Sequence, residues 1–173
     1  MKLHTVLRPP NYIACAAEDF ARNHFASDNM GYCIGTNGHL PHITLIQTTV
    51  SDDFNIESLF NDIMGLFWDK DTLIKLGDYY HRQEKPYNGL EMIKHPAVQR
   101  IHELCASVHG KHGLEIESGH GDEFWPHLTF AKSQHRLTEP VKIPPILRQP
   151  SNGWTLEFGY RGEHSVYLGP FTP

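Results

Sequence analysis

The five residues Pro41-His42-Ile43-Thr44-Leu45 occur a second time as Pro126-His127-Leu128-Thr129-Phe130, in the same order with only apolar residues exchanged. In an extended strand, side chains two apart point to one face and their neighbours point to the other. His42 and Thr44 are therefore expected to share a face, with Ile43 and Leu45 turned away into a core. The same division is expected of His127 and Thr129 against Leu128 and Phe130. Two strands, each carrying a polar pair on one face, predict a symmetric polar cleft and constrain how the rest of the chain is arranged.

The surrounding pattern supports a duplication. Residues 2–8 alternate as a strand, with Leu3, Thr5 and Leu7 on one side, and Pro9-Pro10 end it because proline lacks a ladder donor. Ala14, Ala17, Ala21 and Phe25 recur at helical steps, which predicts a helix over 11–27. A short extension at 32–34 and a Gly/Asn turn lead into a strand over 39–50, rich in β-branched residues. Ser51-Asp52-Asp53 offers N-cap chemistry for a helix over 53–67. Strands are expected at 72–82 and 87–93. Pro96 then opens a helix to about residue 109, since proline suits the first helical turn. The second motif lies on a strand over 124–131. Residues 133–152 carry little periodicity and read as a long loop, with an edge strand near Val141. Residues 154–160 and 165–168 close the chain as a hairpin. Each motif sits in its own half behind comparable elements, and no Gly/Ser-rich linker separates the halves, so residues 1–173 are read as one α+β domain.

Composition narrows the function. The 173 residues carry a formal charge of −5, so the global basicity of a duplex-DNA-binding protein is lacking. Cys15, Cys33 and Cys105 make an odd, irregularly spaced set, expected to be free thiols, mostly buried, in a reducing compartment. No run approaches the ~20 apolar residues of a membrane helix, and the first residues lack the apolar stretch of a signal peptide. A cytoplasmic, monomeric protein without a membrane partner is expected.

The paired motifs suit proton transfer at phosphorus. Of two facing imidazoles, one takes a proton from water or a hydroxyl while the other gives a proton to the leaving oxygen. Threonine hydroxyls beside each ring can donate hydrogen bonds to the non-bridging oxygens. In-line displacement needs its acid and base on opposite sides of the phosphorus, an arrangement that a pseudo-two-fold repeat supplies. This scheme calls for no metal and no cofactor.

Two His-apolar-Thr-apolar motifs about eighty residues apart, here His42-Ile43-Thr44-Leu45 and His127-Leu128-Thr129-Phe130, resemble the signature of the two-histidine (2H) phosphoesterase superfamily. The preceding prolines, Phe124 and the order of elements across most of the chain are similar to that superfamily as well. The resemblance implies a bilobal α+β fold, with duplicated antiparallel sheets flanked by helices around a central groove. It also implies metal-independent hydrolysis or transesterification of 2′,3′-cyclic or 2′-5′ phosphodiester bonds in a small nucleotide or an RNA end. His42 and His127 would be catalytic, and Thr44 and Thr129 would bind phosphate. A non-catalytic nucleotide-binding module on the same fold is the alternative.

Further candidates are secondary. Lys132, Arg161 and His164 carry the chemistry to contact phosphate, although exposed turn residues are ordinarily only solvated. Tyr80, His81, Trp125 and Tyr160 suit stacking on a base, although core packing is the commoner task of such rings. His102, His109 and His112 invite a zinc reading, but their spacing matches no usual set and no Cys or carboxylate pair completes it. No metal site is expected.

Overall fold

The computed structural model describes residues 1–27, 30–82, 84, 86–119, 121–134, 136–137, 142–163 and 166–173. Strand β1 (Lys2–Arg8) leads through Pro9-Pro10 into helix α1 (Asn11–Phe25), then the two-residue strand β2 (Tyr32–Cys33) and the first motif strand β3 (Ile43–Thr49). Helix α2 (Ile56–Met64) and the hairpin β4 (Leu76–His81) and β5 (Tyr87–Met92) follow. Helix α3 (Pro96–Lys111), the second motif strand β6 (His127–Lys132), the short helix α4 (Pro145–Arg148), β7 (Thr155–Arg161) and β8 (Tyr167–Pro170) complete the chain.

The strands form one continuous sheet in the order β4-β5-β6-β3-β1-β7-β8, with β2 added on β6. Every pairing is antiparallel. This is an α+β architecture with helices flanking an antiparallel sheet. The two sheets expected around a groove are the two halves of this one sheet, β4-β5-β6 and β3-β1-β7-β8, joined at the single pair Ile43↔Leu128.

Register makes the duplication explicit. Leu7 pairs with Ile43 on one side and Leu156 on the other; Leu90 pairs with Leu128 and Tyr79. Taking Ile43 as the counterpart of Leu128, Val6 corresponds to Gly89, His4 to Tyr87, and Glu157 to Tyr80. The register of β1 on β3 shifts between Thr5 and Val6, and that of β5 on β6 between Asn88 and Gly89. Both shifts leave the residue after the motif threonine, Leu45 or Phe130, as the extra residue of a bulge.

Past their shared pair, β3 and β6 each have an edge to satisfy. β2 covers that of β6, extended by Ile34 N–H donating to the Phe130 carbonyl at 2.9 Å. Residues 115–118 cover that of β3: Glu117 N–H donates to the Gln47 carbonyl at 2.8 Å, and Thr48 Oγ1 to the Glu115 carbonyl at 2.7 Å. The helices cross over in the same sense. α1 packs on β6 and α3 on β3, so each half's helix covers the other half's motif strand. Phe20 of α1 meets Phe130 at 5.0 Å between ring centres, and His102 of α3 donates to the Leu45 carbonyl at 3.0 Å.

Local sequence explains these elements. α1 buries Ile13, Ala14, Ala17, Phe20, Ala21 and Phe25, its alanines allowing close approach to the sheet. α3 begins with Pro96, and the His95 ring accepts from Ala97 N–H. α2 starts later than Ser51-Asp52-Asp53 suggested, because the cap is Asn55, whose side chain accepts from Ser58 N–H at 3.1 Å. Strand β4 is shorter than the 72–82 expectation, and 133–152 contains α4; the edge strand expected near Val141 falls outside the described residues. β1 is central, so Leu3 through Leu7 are buried on both faces rather than one. Cys33 and Cys105 are buried free thiols and Cys15 is exposed. Among the described residues no helix is long and apolar enough to cross a membrane.

Candidate active site

Where the two halves meet, a groove of about 370 Å³ is lined by both motifs: His42 and Thr44 from β3 with its lead-in, and His127 and Thr129 from β6. The expected division of faces holds for Ile43, Leu128 and Phe130, which are fully buried and do not line the groove, whereas the bulge residue Leu45, though buried, is part of the groove's lining. Extending the Ile43↔Leu128 register by one residue each way sets Thr44 opposite His127 and His42 opposite Thr129. Each motif histidine thus sits across the strand pair from the threonine of the other motif.

The two rings are held alike. His42 Nδ1 lies 2.8 Å from the Leu40 carbonyl and His127 Nδ1 2.7 Å from the Trp125 carbonyl, each two residues upstream. A carbonyl only accepts, so Nδ1 carries the hydrogen in both rings. The neutral ring then has its lone pair on Nε2, which is left for the groove. Burial pushes both imidazoles down to about 4, opposed by those carbonyl bonds and assisted by Arg8 and His127 at His42 and by Arg82 at His127. Both rings are therefore neutral near pH 7 in the free protein, able to accept a proton at Nε2.

Around this symmetric pair the halves differ. On the His127 side, the Tyr80 hydroxyl lies 2.9 Å from Thr129 Oγ1. Its ring crosses β5 at Gly89, where an added Cβ would lie 2.7 Å from that hydroxyl and 2.2 Å from the Leu128 carbonyl oxygen. Only glycine admits this crossing. Burial raises the Tyr80 phenol, which keeps it a neutral donor or acceptor. Trp125 stacks on His127 at 4.2 Å and 29°, Tyr80 meets Trp125 edge-on at 4.7 Å, and the Arg82 guanidinium lies over Trp125 at 3.8 Å. Tyr32 and Tyr87 extend this aromatic wall.

On the His42 side the ring packs against two buried side chains, His4 at 5.3 Å and Tyr167 at 5.8 Å. Tyr167 donates to Glu157 at 3.0 Å; Glu157 pairs with Arg8 at 3.7 Å, and Arg8 donates to the Pro41 carbonyl. That chain anchors the residue preceding His42. Gln47, Ser118 and Gly119 form the polar rim, and Phe124 closes it while stacking on His102 at 3.8 Å and 5°.

Of the secondary candidates, Tyr80 and Trp125 line the groove; Lys132, Tyr160 and Arg161 do not. Arg161 is buried and bonded to Glu117 at 2.6 Å, Gln47 at 3.1 Å and Thr49 at 3.3 Å. Tyr160 is exposed, its ring 5.9 Å from Phe171. His81 bonds Asn88, and His164 falls outside the described residues. His102, His109 and His112 are separately engaged, by the carbonyls of Leu45 and Cys105 and by Asp62. Among the described residues no three His, Cys, Asp or Glu are grouped to hold a metal ion. The sequence reading missed Arg82, Tyr87 and Tyr32. Tyr87 becomes legible once β5 is recognised as the counterpart of β1.

No protein-family model matches the chain, and no curated protein matches it in sequence. Among solved structures, the chain is similar to a crystal structure of a phosphoesterase, with a TM-score of 0.66 and 16% identity over 99% of this chain and 95% of that one. It is also similar to E. coli LigT complexed with NADP+ (TM-score 0.64, 15% identity, 99% and 94% covered) and with 3′-AMP (TM-score 0.64, 18% identity, 99% and 95% covered). Identities this low establish a shared fold.

Proposed function

We propose that the protein is a phosphoesterase of the two-histidine type, acting without a metal on 2′,3′-cyclic or 2′-5′ phosphodiester bonds of a small nucleotide or an RNA end. One observation carries this reading: two imidazoles related by the internal repeat, each tied through Nδ1 to the carbonyl two residues upstream and each set opposite a motif threonine. That the same fold occurs in a phosphoesterase, and in LigT crystallised with phosphate and with 3′-AMP, supports it.

In the hydrolytic direction, one histidine takes a proton from water at Nε2 as the water oxygen bonds to phosphorus. The bond from phosphorus to one ribose oxygen breaks, and the other histidine delivers its proton to that oxygen. Thr44 and Thr129 donate to the non-bridging oxygens, with Tyr80 orienting the Thr129 hydroxyl. The reaction needs one ring protonated and one neutral, whereas the free groove holds both neutral. A bound phosphodiester carries a negative charge, which favours the proton on the ring beside it. Substrate binding is thus coupled to uptake of the catalytic proton.

The test is turnover of 2′,3′-cyclic mononucleotides, 2′-5′ oligoadenylate and a cyclic-phosphate-ended RNA, with and without chelator. His42→Ala and His127→Ala are each expected to lower turnover by about 10²–10⁴, the usual size of a general acid–base contribution. Full activity in either variant, or its abolition by chelator, refutes the mechanism. A wild-type protein that binds these nucleotides and turns over none would be a binding module instead.

A further inference from the structure

Arg82 is the one Lys or Arg among the described residues lining the groove. Two other arginines near it are committed elsewhere: Arg8 to Glu157 and the Pro41 carbonyl, Arg161 to Glu117. The Arg82 guanidinium makes no ion pair or side-chain hydrogen bond among the described residues. Its contact is the Trp125 face, at 3.8 Å from the ring centre. His127 stacks on the same indole at 4.2 Å. Two planar groups this close to one ring centre would overlap on a single face, so they occupy opposite faces. The order is Arg82, Trp125, His127, with the indole standing between the cation and the imidazole.

This placement decides what the cation can reach. A phosphate held between His42 and His127 by Thr44 and Thr129 lies beyond the indole from Arg82. Arg82 is exposed and lines the groove on the far side of that indole, so its guanidinium is open to a part of the substrate that continues past the reacting phosphorus. Its charge still registers inside, since Arg82 is among the groups that lower both His127 and the Tyr80 phenol. The opposite half has no counterpart: register places Gly159 where Arg82 stands, and the residue two before His42 is Leu40 where Trp125 stands. Glu123 is the one carboxylate in the described lining, and it disfavours anions that are not held by a directed contact. A planar guanidinium, fixed at its back by an indole and open at its edge, suits bidentate capture of a phosphate.

Resting on the phosphoesterase reading, we infer that Arg82 is a specificity-determining residue that takes a second phosphate of the substrate, one sugar unit from the phosphate held by the two His-Thr pairs. The substrate class is then a nucleotide with at least two separated phosphates, such as an RNA end, rather than a cyclic mononucleotide.

The experiment is calorimetric binding of adenosine 3′-monophosphate and adenosine 3′,5′-bisphosphate to the full chain at low ionic strength, where an exposed cation is least screened. Wild type is expected to bind the bisphosphate about tenfold or more tightly than the monophosphate, as a charge-assisted contact provides. Arg82→Gln should abolish that preference, weakening the bisphosphate about tenfold more than the monophosphate; Arg82→Lys should retain part of it by keeping the charge. Equal wild-type affinities, binding of neither nucleotide, or equal weakening of both by Arg82→Gln would each overturn the inference. Turnover of a cyclic-phosphate-ended RNA by the same wild-type sample reports separately on the phosphoesterase reading. A protein that turns over that substrate yet ignores the second phosphate fails only here.

Discussion

Burial holds His42 and His127 down to about 4, whereas an imidazole in an unfolded chain titrates near ~6.5. Between these values the unfolded chain binds protons that the folded chain refuses, so stability rises with pH. The contribution is present above pH ~6.5 and is lost as pH falls toward 4. From pH 7 to pH 5 each ring costs the fold about 2 kcal/mol, and the pair about 4 kcal/mol. That is a large part of the roughly 5–15 kcal/mol that holds a domain together. His4 and His109 are shifted in the same direction by burial and deepen the loss. Glu117, held low by Thr49 and Arg161, contributes stability that is lost only below the usual carboxylate range, outside this window. The assay is urea denaturation at pH 5, 6, 7 and 8, with the midpoint read at constant slope. The double variant His42→Gln/His127→Gln should flatten the profile by about the pair's share. A midpoint that stays constant from pH 7 to pH 5, or a double variant with the wild-type slope, would refute the reasoning.

Two further changes probe the frame around the groove. Gly89→Ala would place a methyl group 2.2 Å from the Leu128 carbonyl oxygen, so a loss of about 1–3 kcal/mol in urea denaturation is expected, with Tyr80 displaced from Thr129 and turnover lowered. Arg161→Met removes the partner of Glu117 and the donor to Gln47 and Thr49; a loss of about 1–3 kcal/mol is expected by the same measurement, while the preference for a second phosphate persists.

The motif residues were legible because their signal is local. Alternation over four residues fixes which side chains share a face, and repetition fixes that two such faces exist. Helix starts at Asn11 and Pro96 were legible for a similar reason, since proline punctuates them. What depended on register was not. Arg82 reaches Trp125 only through the pairing of β4 with β5 and of β5 with β6, neither of which a single sequence displays. The same holds for Gly89, whose need for glycine comes from the Leu128 carbonyl on one neighbouring strand and Tyr80 on the other. Arg161 looked like an exposed turn residue, yet β7 carries it inward against Glu117, a residue forty-four positions away. The bulges at Leu45 and Phe130 also escape a period-two reading, because they interrupt that period immediately after the motif.

The crossed helices bear on how the groove can move. α1 belongs to the half containing β3 but lies on β6, while α3 belongs to the half containing β6 but lies on β3. Pulling the halves apart would strip both motif strands of their covering helices at once, besides breaking the shared strand pair. The molecule is therefore latched at two points rather than hinged at one. Widening the gap between the two imidazoles would therefore cost both helix packings and the shared strand pair together, a penalty that favours substrate entry through the open side of the groove.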